Sequence, residues 1–355
     1  MRNAHHMNPD APLSPHPPRH LADVRRRILT TAQLRAHGVS TAEANERCRS
    51  GGAWQRILPG VFLLHPGPPT GEERLHAVLT YASRATGPAR PMPWVPAQPT
   101  PQAPHRPVYA EAAITGLAAL ALHGFTEAPP LLSLERIDVL VPKPRRLRST
   151  GCARVLRTAG LPSGQLVDGV PVAPVPRALA DAVAALDDGE AVRRLLTEAV
   201  ACGHCEPGPV VRELERARLL GRTHVVEAVD SLVAEGRAIA EERLYRMVWE
   251  HGLPDPLWNV DLRLPGGPPL GGLDAYWPEQ AVAVELDMRA GRPRYEEYAA
   301  YARKREHLER LGITVVLVTP GLLRSAPQQQ AAVLRTALMA AGDREPAAYV
   351  VVRPR

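Results

Sequence analysis

Three acidic residues in the C-terminal part of the chain have the types and spacing of a metal-binding site. Glu285 interrupts the apolar run at residues 281–286, and Asp287 lies two residues later, so both side chains should point to one side of a strand. Asp274 lies on a predicted preceding strand, before a turn at Pro278. Carboxylates that converge from two strands suit a hard divalent cation such as Mg²⁺. The alternative is that an arginine from a flanking helix pairs with Glu285, and that the pair does no chemistry.

The elements around these acids predict a mixed α/β sheet. A helical apolar stripe runs through residues 241–248 and is followed by a strand at 259–264 and by the two acidic strands. A helix at 295–311 and a buried strand at 314–318 complete the order α-β-β-β-α-β, which is typical of a mixed sheet. The glycine-rich stretch at 266–272 lacks the Gly-Lys-Ser/Thr of a phosphate loop, so it is predicted to be a hairpin loop.

Two capping boxes near the N-terminus predict a pair of short helices. Thr30 with Gln33 begins a helix over residues 31–37, and Ser40 with Glu43 begins one over residues 41–50. The tight turn between them contains a glycine, which is typical of a helix-turn-helix. Residues 54–64 carry a Pro-Gly pair between two apolar runs and predict a hairpin, which would act as a wing.

Four side chains of this region are the candidate DNA contacts. Asn45, Arg47 and Arg49 are expected on the exposed face of the second helix, with Arg56 on the wing. Arginine and asparagine suit base edges, and arginine also suits phosphates. The alternative is a helical docking domain whose arginines are only solvated. In either case Ala44 and Cys48 of this helix are expected to face the core.

Composition sets the broad class of the protein. The chain has 355 residues, of which 45% are hydrophobic and 4% aromatic, so a sizeable core must be built mostly from Ala, Val and Leu. A formal net charge of +6 and a pI near 9.4 permit nucleic-acid binding. Four unevenly spaced cysteines are no disulfide framework, and neither a membrane span nor a signal-peptide pattern is found. We therefore expect a cytoplasmic protein with no membrane partner.

The pattern along the chain predicts five regions. They are a disordered tail at 1–26, a winged helix-turn-helix at 27–66, a middle helical and β region at 67–235 with a Pro-rich loop near 86–107, an α/β domain at 236–325, and a C-terminal helix and tail at 326–355. Within the middle region we expect helices at 72–84, 109–122 and 176–186 and strands at 136–141, 153–156 and 170–172. The fold class is thus multidomain α/β.

One cysteine motif belongs to none of these patterns. Cys202-Gly-His-Cys205 has the C-x-x-C spacing of redox centres, but no strand precedes it, so the thioredoxin-like context is absent. A zinc site would want a second ligand pair, and the chain has no other C-x-x-C. The motif is therefore given no function from sequence alone.

Short motifs in a particular order give the chain a resemblance to two families. Residues 27–64 resemble the winged helix that opens AbiEi-type antitoxins, and residues 108–186 resemble the middle of that group through Leu122-His-Gly, Ile137-Asp-Val-Leu-Val-Pro and Val167-Asp-Gly-Val-Pro-Val. Residues 240–319 resemble the DUF559 domain, a relative of very-short-patch-repair and PD-(D/E)XK nucleases. The supporting motifs there are Ala240-Glu, Leu253-Pro, Leu273-Asp and Val284-Glu-Leu-Asp.

The second resemblance implies a restriction-endonuclease-like sheet with a defined acidic site. Glu241, Asp274 and Glu285 match the acidic residues of the nuclease core, with Mg²⁺ expected on Asp274, Glu285 and Asp287. Asp287 stands where many such nucleases have lysine, and no histidine follows within Met288-Arg-Ala-Gly-Arg. Lys304, on the core-facing stripe of the next helix, could supply the missing cation or only snorkel. These departures favour weak or absent nuclease activity.

The sequence thus leaves three functional hypotheses. The first is a DNA-binding transcriptional regulator or type IV antitoxin-like protein with a degenerate nuclease fold. The second is an active Mg²⁺-dependent DNA endonuclease, in which the metal activates water and stabilises the developing charge. The third is a scaffold that binds a protein toxin and needs neither DNA nor metal.

Overall fold

The computed structural model describes residues 24, 26–83, 109, 111–288, 295–342 and 350–355. They form helices and strands in three sheets, which confirms the mixed α/β class, and the chain divides into two compact units at Ala182/Val183. Most of the predicted tail and the whole predicted loop at 86–107 lie outside the described residues. Val24 is fully buried, so packing begins earlier than residue 27, where order was expected. No helix in the described part of the chain is both long and apolar enough to cross a membrane.

A small three-stranded sheet with two helices opens the first unit. Its elements are β1 (Ile28–Thr30), α1 (Thr31–Ala36), α2 (Thr41–Arg47), β2 (Gln55–Leu58) and β3 (Val61–Leu63). The strands are antiparallel in the order β1-β3-β2. Both predicted capping residues act as expected, because Thr30 accepts from the Gln33 N–H and Ser40 from the Glu43 N–H. The two helices end earlier than the predictions at residues 37 and 50.

Five buried side chains hold this small sheet to its helices. Leu34 and Val39 come from the helical segment, Ala44 from α2, and Trp54 and Phe62 from the hairpin. Each is at most 8% exposed. Burial of such side chains is the main favourable term for folding at roughly 25 cal/mol per Å² of apolar surface. The position of α2 on the sheet is therefore fixed by Ala44 and Trp54.

The rest of the first unit is a five-stranded mixed sheet in the order β6-β5-β4-β8-β7. Its strands are β4 (Ala113–Thr115), β5 (Ile137–Pro142), β6 (Ala153–Thr158), β7 (Gln165–Val167) and β8 (Val170–Val172), with helices α3 (Gly71–Ala82), α4 (Gly116–Leu122) and α5 (Val175–Ala185). The prediction of one helix from residue 109 to 122 was wrong, since residues 113–115 form β4 and the helix begins only at Gly116. Gly116, with φ +62°, makes the bend between strand and helix, and a Cβ there would lie 2.5 Å from Asp138.

Three helices begin the second unit, and the last of them is continuous across a predicted boundary. They are α6 (Gly189–Ala201), α7 (Pro207–Arg216) and α8 (Thr223–Glu250). The boundary expected at residues 235 and 236 falls inside α8. Gly236, the first residue of the predicted α/β domain, is a buried helical residue whose missing side chain makes room for Pro207. A glycine inside a helix can thus mark close packing instead of a helix end.

The second unit also holds a five-stranded sheet in the order β12-β11-β10-β9-β13. Its strands are β9 (Leu257–Arg263), β10 (Pro269–Trp277), β11 (Val282–Leu286), β12 (Thr314–Val318) and β13 (Val351–Pro354), with helices α9 (Tyr295–Arg310), α10 (Pro320–Ser325) and α11 (Pro327–Gly342). The predicted order α-β-β-β-α-β is confirmed from α8 to β12. The predicted loop at 266–272 is shorter, because β10 already begins at Pro269.

Helices cover both faces of this sheet. Leu244 of α8 and Leu334 of α11 pack with Val282, Val284 and Leu286 on one face. On the other face Leu308 of α9 packs with a separate apolar set that contains Tyr276 and Ala283. Strand β11 is therefore buried from both sides, as its near-continuous apolar sequence predicted. A charge on β11 or its neighbours must therefore be met by a group of the protein, from a covering helix or from the sheet itself.

Replacement of Gly236 tests the close packing inside α8. A Cβ at this position would lie 2.3 Å from Cγ of Pro207 and 3.6 Å from Cγ1 of Val200. Overpacking costs about 1–3 kcal/mol, which exceeds the gain of up to about 1 kcal/mol when alanine replaces helical glycine. We expect Gly236→Ala to lower the free energy of unfolding in urea denaturation.

The matched control is Gly321→Ala in α10, where nothing lies within 4 Å of the added Cβ. This control should be neutral or slightly stabilising. Equal stability of the two variants would contradict the packing that holds α8 against Pro207.

Candidate functional site

Arg237 of α8 brings together two of the three acids that the nuclease resemblance singled out. Its Nε lies 2.8 Å from Oε1 of Glu241, four residues later on the same helix. Its Nη2 also contacts Oδ1 of Asp274, which is 4% exposed. The second carboxylate oxygen of Asp274 accepts a hydrogen bond of 2.6 Å from the Leu286 N–H. Both oxygens of this buried carboxylate are therefore engaged by donors of the protein itself.

Glu285 is paired with Lys304, the lysine that sequence reasoning proposed as a relocated cation. The Lys304 Nζ lies 3.1 Å from Oε1 of Glu285 and donates a 2.7 Å hydrogen bond to the Gly272 carbonyl. The expected flanking-helix partner is thus a lysine and not an arginine. Oε2 of Glu285 is buried and has no hydrogen-bond partner. Lys304 therefore engages only one of the two carboxylate oxygens of Glu285.

The close approach of Lys304 depends on a glycine in β10. Gly271 has φ +109°, and a Cβ there would lie 2.8 Å from Cε of Lys304. The pairing of β10 with β9 shifts register between Pro269 and Gly271, which is the pattern of a β-bulge. Only glycine combines this backbone conformation with space for the lysine stem. The bulge therefore positions Lys304 beside Glu285.

The acids face different helices, and no three of them converge on one point. Asp274 is bound from α8 and Glu285 from α9, which cover opposite faces of the sheet. Asp287 continues the strand pairing through a 2.8 Å hydrogen bond from its N–H to the Val318 carbonyl. Glu241, Asp274, Glu285 and Asp287 do not provide three ligand atoms within 4.8 Å of one another.

The predicted DNA contacts are brought together at the N-terminal sheet. Asn45, Arg49 and Arg56 are all exposed, and all three line one open cleft of about 910 Å³ between α2 and the hairpin. Trp54 forms part of its wall. The Nη1 of Arg49 lies 2.9 Å from Glu46, in a pair whose side chains are 75% and 60% exposed. Such an exposed pair is weak and easily exchanged for another anion.

Arg47 differs from its three neighbours. Its guanidinium lies 4.5 Å from the centre of the Trp54 ring, and its Nη2 lies 2.8 Å from Glu43. Its side chain is only 22% exposed, so the expectation that it faces solvent was wrong. The cation–π contact and the ion pair hold Arg47 as a support for α2. Ala44 is buried as expected, and burial raises the pKa of the neighbouring Cys48 thiol, against an opposing effect of Arg56.

A buried charge network in the first unit escaped sequence reasoning. Asp138 in β5 is 8% exposed and is bound by both ends of the Arg154 guanidinium. Burial raises the pKa of Asp138 although Arg154 lowers it. Asp181 accepts a 2.6 Å hydrogen bond from Thr115 and a 2.9 Å one from Arg177. An aspartate inside the apolar run Ile137-Asp-Val-Leu-Val was the available signal, the same one that marked Glu285.

A second missed group lies at the end of α6. Glu198, Cys202 and His204 each offer a ligand atom, and these atoms all lie within 4.8 Å of one another. No other three His, Cys, Asp or Glu side chains of the described ranges come so close. Sequence reasoning searched for a second C-x-x-C pair and missed the glutamate one helical turn before Cys202. The spacing Glu-x₃-Cys-x-His was the usable signal.

No protein-family model and no curated protein matches this chain.

Loss of the Lys304 cation should destabilise the second unit. Lys304 and Glu285 are 21% and 17% exposed, so Lys304→Met leaves a largely buried carboxylate without its cation. We expect the free energy of unfolding to fall by about 1–3 kcal/mol, short of the value for a fully buried pair. Urea denaturation measures this loss.

Two controls separate the ion pair from simple side-chain loss. Arg246→Met breaks an exposed pair with Glu242, 57% and 65% exposed, and should cost less than about 0.5 kcal/mol. The double change Lys304→Met with Glu285→Gln should recover part of the loss, because a neutral amide needs no cation. Strict additivity of the two single changes would show that the pair is not coupled.

Proposed function

We propose that the chain is a DNA-binding regulator of the antitoxin type and that residues 28–64 are a winged helix. The order β1-α1-α2-β2-β3 with the sheet order β1-β3-β2 supports this. In such an arrangement α2 enters the major groove and the β2–β3 hairpin lies along the adjacent backbone. The observation that carries the proposal is the common cleft of Asn45, Arg49 and Arg56 between these two elements.

The side chains of the cleft have different roles in the proposed DNA recognition. Asn45 and Arg49 on α2 have the amide and guanidinium groups that bind adenine and guanine edges. Arg56 on the hairpin is placed to bind phosphate, and the chain's net charge of +6 favours approach to DNA. Arg47 is left out of the contact set, because Trp54 and Glu43 already hold it. It positions α2 without touching DNA.

We further propose that the second unit carries a nuclease-related sheet without a working metal centre. The order α8-β9-β10-β11-α9-β12 supports the relationship. The ion pairs of Asp274 with Arg237 and of Glu285 with Lys304 support the loss of metal binding, because each neutralises a carboxylate that a metal would need. The antitoxin resemblance adds a protein toxin as a second expected partner.

A second candidate function is an active endonuclease. One observation favours it: Lys304 lies 3.1 Å from Glu285, where a cation could steady charge on a reacting phosphate. That function requires the carboxylates of Asp274 and Glu285 to rearrange toward one ion. The third candidate, a toxin-binding scaffold, is the outcome that remains if neither DNA binding nor cleavage is observed.

DNA binding by the cleft should be sensitive to salt and to charge. The full chain should retard duplex DNA in a gel shift, with affinity falling steeply as salt rises because neutralised phosphates release counterions. Arg56→Ala should reduce the slope of log K against log salt by about 1 if it binds one phosphate. Asn45→Ala should instead weaken binding at preferred sequences by about 1–3 kcal/mol.

The matched control is Arg216→Ala, which removes a 71% exposed arginine of the second unit that pairs with Glu213. It should leave the salt slope nearly unchanged. Absence of salt-sensitive affinity in the parent, or equal effects of Arg56→Ala and Arg216→Ala, would refute direct DNA contact by the cleft.

The nuclease-related sheet should show weak or no cleavage. Plasmid DNA incubated with the full chain and Mg²⁺ or Mn²⁺ should remain supercoiled, since no three of the acids converge on one point. Cleavage by the parent that disappears in Glu285→Ala would overturn the degenerate assignment. Loss of that cleavage in Lys304→Ala as well would support a mechanism that uses the relocated lysine.

A further inference from the structure

A cluster of three different metal-ligand types lies at the C-terminal end of α6, apart from the DNA cleft and the acidic sheet. Its members are the Glu198 carboxylate, the Cys202 thiol and the His204 imidazole, with ligand atoms within 4.8 Å of one another. A tetrahedral zinc shell places neighbouring ligand atoms about 3.5 Å apart, given zinc–ligand bonds of about 2.0–2.3 Å. The observed spacing of up to 4.8 Å is therefore somewhat wider than that of a closed zinc shell.

The local fold explains why these residues meet. Glu198 and Cys202 are four residues apart, which puts them one turn apart on the same face of α6. Gly203 has φ +73°, and the Cys205 N–H returns to the Ala199 carbonyl at 3.0 Å, so the chain turns back at the helix end. This turn brings His204 toward the last helical turn. Arg324 binds the Gly203 carbonyl at 3.2 Å and fixes the turn from outside.

The neighbouring cysteine is not part of the group. Cys205 is only partly exposed, and its sulfur is not among the ligand atoms that lie within 4.8 Å of one another. Cys202, by contrast, is exposed and can exchange its proton for a metal.

We propose that Glu198, Cys202 and His204 form a zinc(II) site with three protein ligands and a fourth position open to water. Thiolate, imidazole and carboxylate are all ligands that zinc accepts, whereas a thiolate disfavours hard ions such as Mg²⁺. On binding, the Cys202 thiol loses its proton to solvent and its sulfur bonds to the ion. One thiolate and one carboxylate balance the charge of the ion. The bound ion links the end of α6 to the turn that leads into α7.

Cobalt titration of the full chain tests the site directly. Co²⁺, the usual spectroscopic substitute for Zn²⁺, should give a thiolate charge-transfer band and the intense visible bands of four-coordinate cobalt, and Zn²⁺ should remove both. Mg²⁺ should leave them unchanged. The protein is first treated with a chelator and a phosphine reductant so that the cysteines are free. Histidines elsewhere in the chain can bind cobalt, but they give no thiolate band.

Single substitutions assign the ligands. Cys202→Ser should abolish the thiolate band. His204→Ala and Glu198→Gln should each weaken zinc affinity by more than about 100-fold, because loss of a residue that only supports a ligand already costs about 10- to 100-fold. Cys205→Ser is the matched control from the same motif and should keep the bands. Bands that persist in Cys202→Ser, or that vanish equally in Cys205→Ser, would overturn the assignment.

A measurement on the unsubstituted chain covers the case in which a variant does not fold. Zn²⁺ should protect Cys202 from alkylation, as measured by peptide mass spectrometry, while Mg²⁺ should not. Alkylation of Cys202 at the same rate with and without saturating Zn²⁺ would refute the site. DNA binding plays no part in either readout, so this proposal fails or stands independently of the regulator function.

Discussion

The central constraint on the second unit is the need to neutralise two carboxylates in a sheet that is covered on both faces. Asp274 and Glu285 lie on adjacent strands, and an unpaired charge there would cost several kcal/mol, roughly, in lost hydration. Each carboxylate is neutralised by a cation from a helix on one face of the sheet: Asp274 by Arg237 of α8 and Glu285 by Lys304 of α9. Each pair also ties its helix to the sheet.

In the first unit, too, charged side chains have two different roles: one holds a helix in place, and another is exposed for contact with a partner. Arg47 and Arg49 are neighbours in sequence and equally basic, yet only Arg49 is free to exchange its partner. Arg47 rests on Trp54, and that contact holds α2 against the hairpin. Recognition of DNA in the proposed function therefore depends on a cation that never touches it. A substitution of Arg47 would act through the geometry of Asn45 and Arg49.

Local patterns in the sequence predicted most elements but not their partners. Capping by Thr30 and Ser40, the strands β11 and β12 and the helix α9 all follow from spacing and periodicity, which act within a few residues. The partner of Glu285 depends on how α9 crosses the sheet and on the bulge at Gly271, and neither is local. The helical packing of Gly236 could not be predicted for a similar reason, because it depends on a contact with Pro207, which is distant in sequence. The cluster of Glu198, Cys202 and His204 was not predicted, because its glutamate lies outside the Cys-x-x-Cys motif.

The uninterrupted course of α8 has a consequence for how this architecture could have been assembled or divided. Its 28 residues span about 42 Å and serve both the helical layer with α6 and the sheet with β10 and β11. A cut near residue 235 would leave each half of α8 with an exposed apolar face. The buried residues Val225 and Leu232 would lie on one fragment, and Leu244 and Val248 on the other. Gene fusion or recombination could therefore move the sheet of the second unit only together with the helices that precede it.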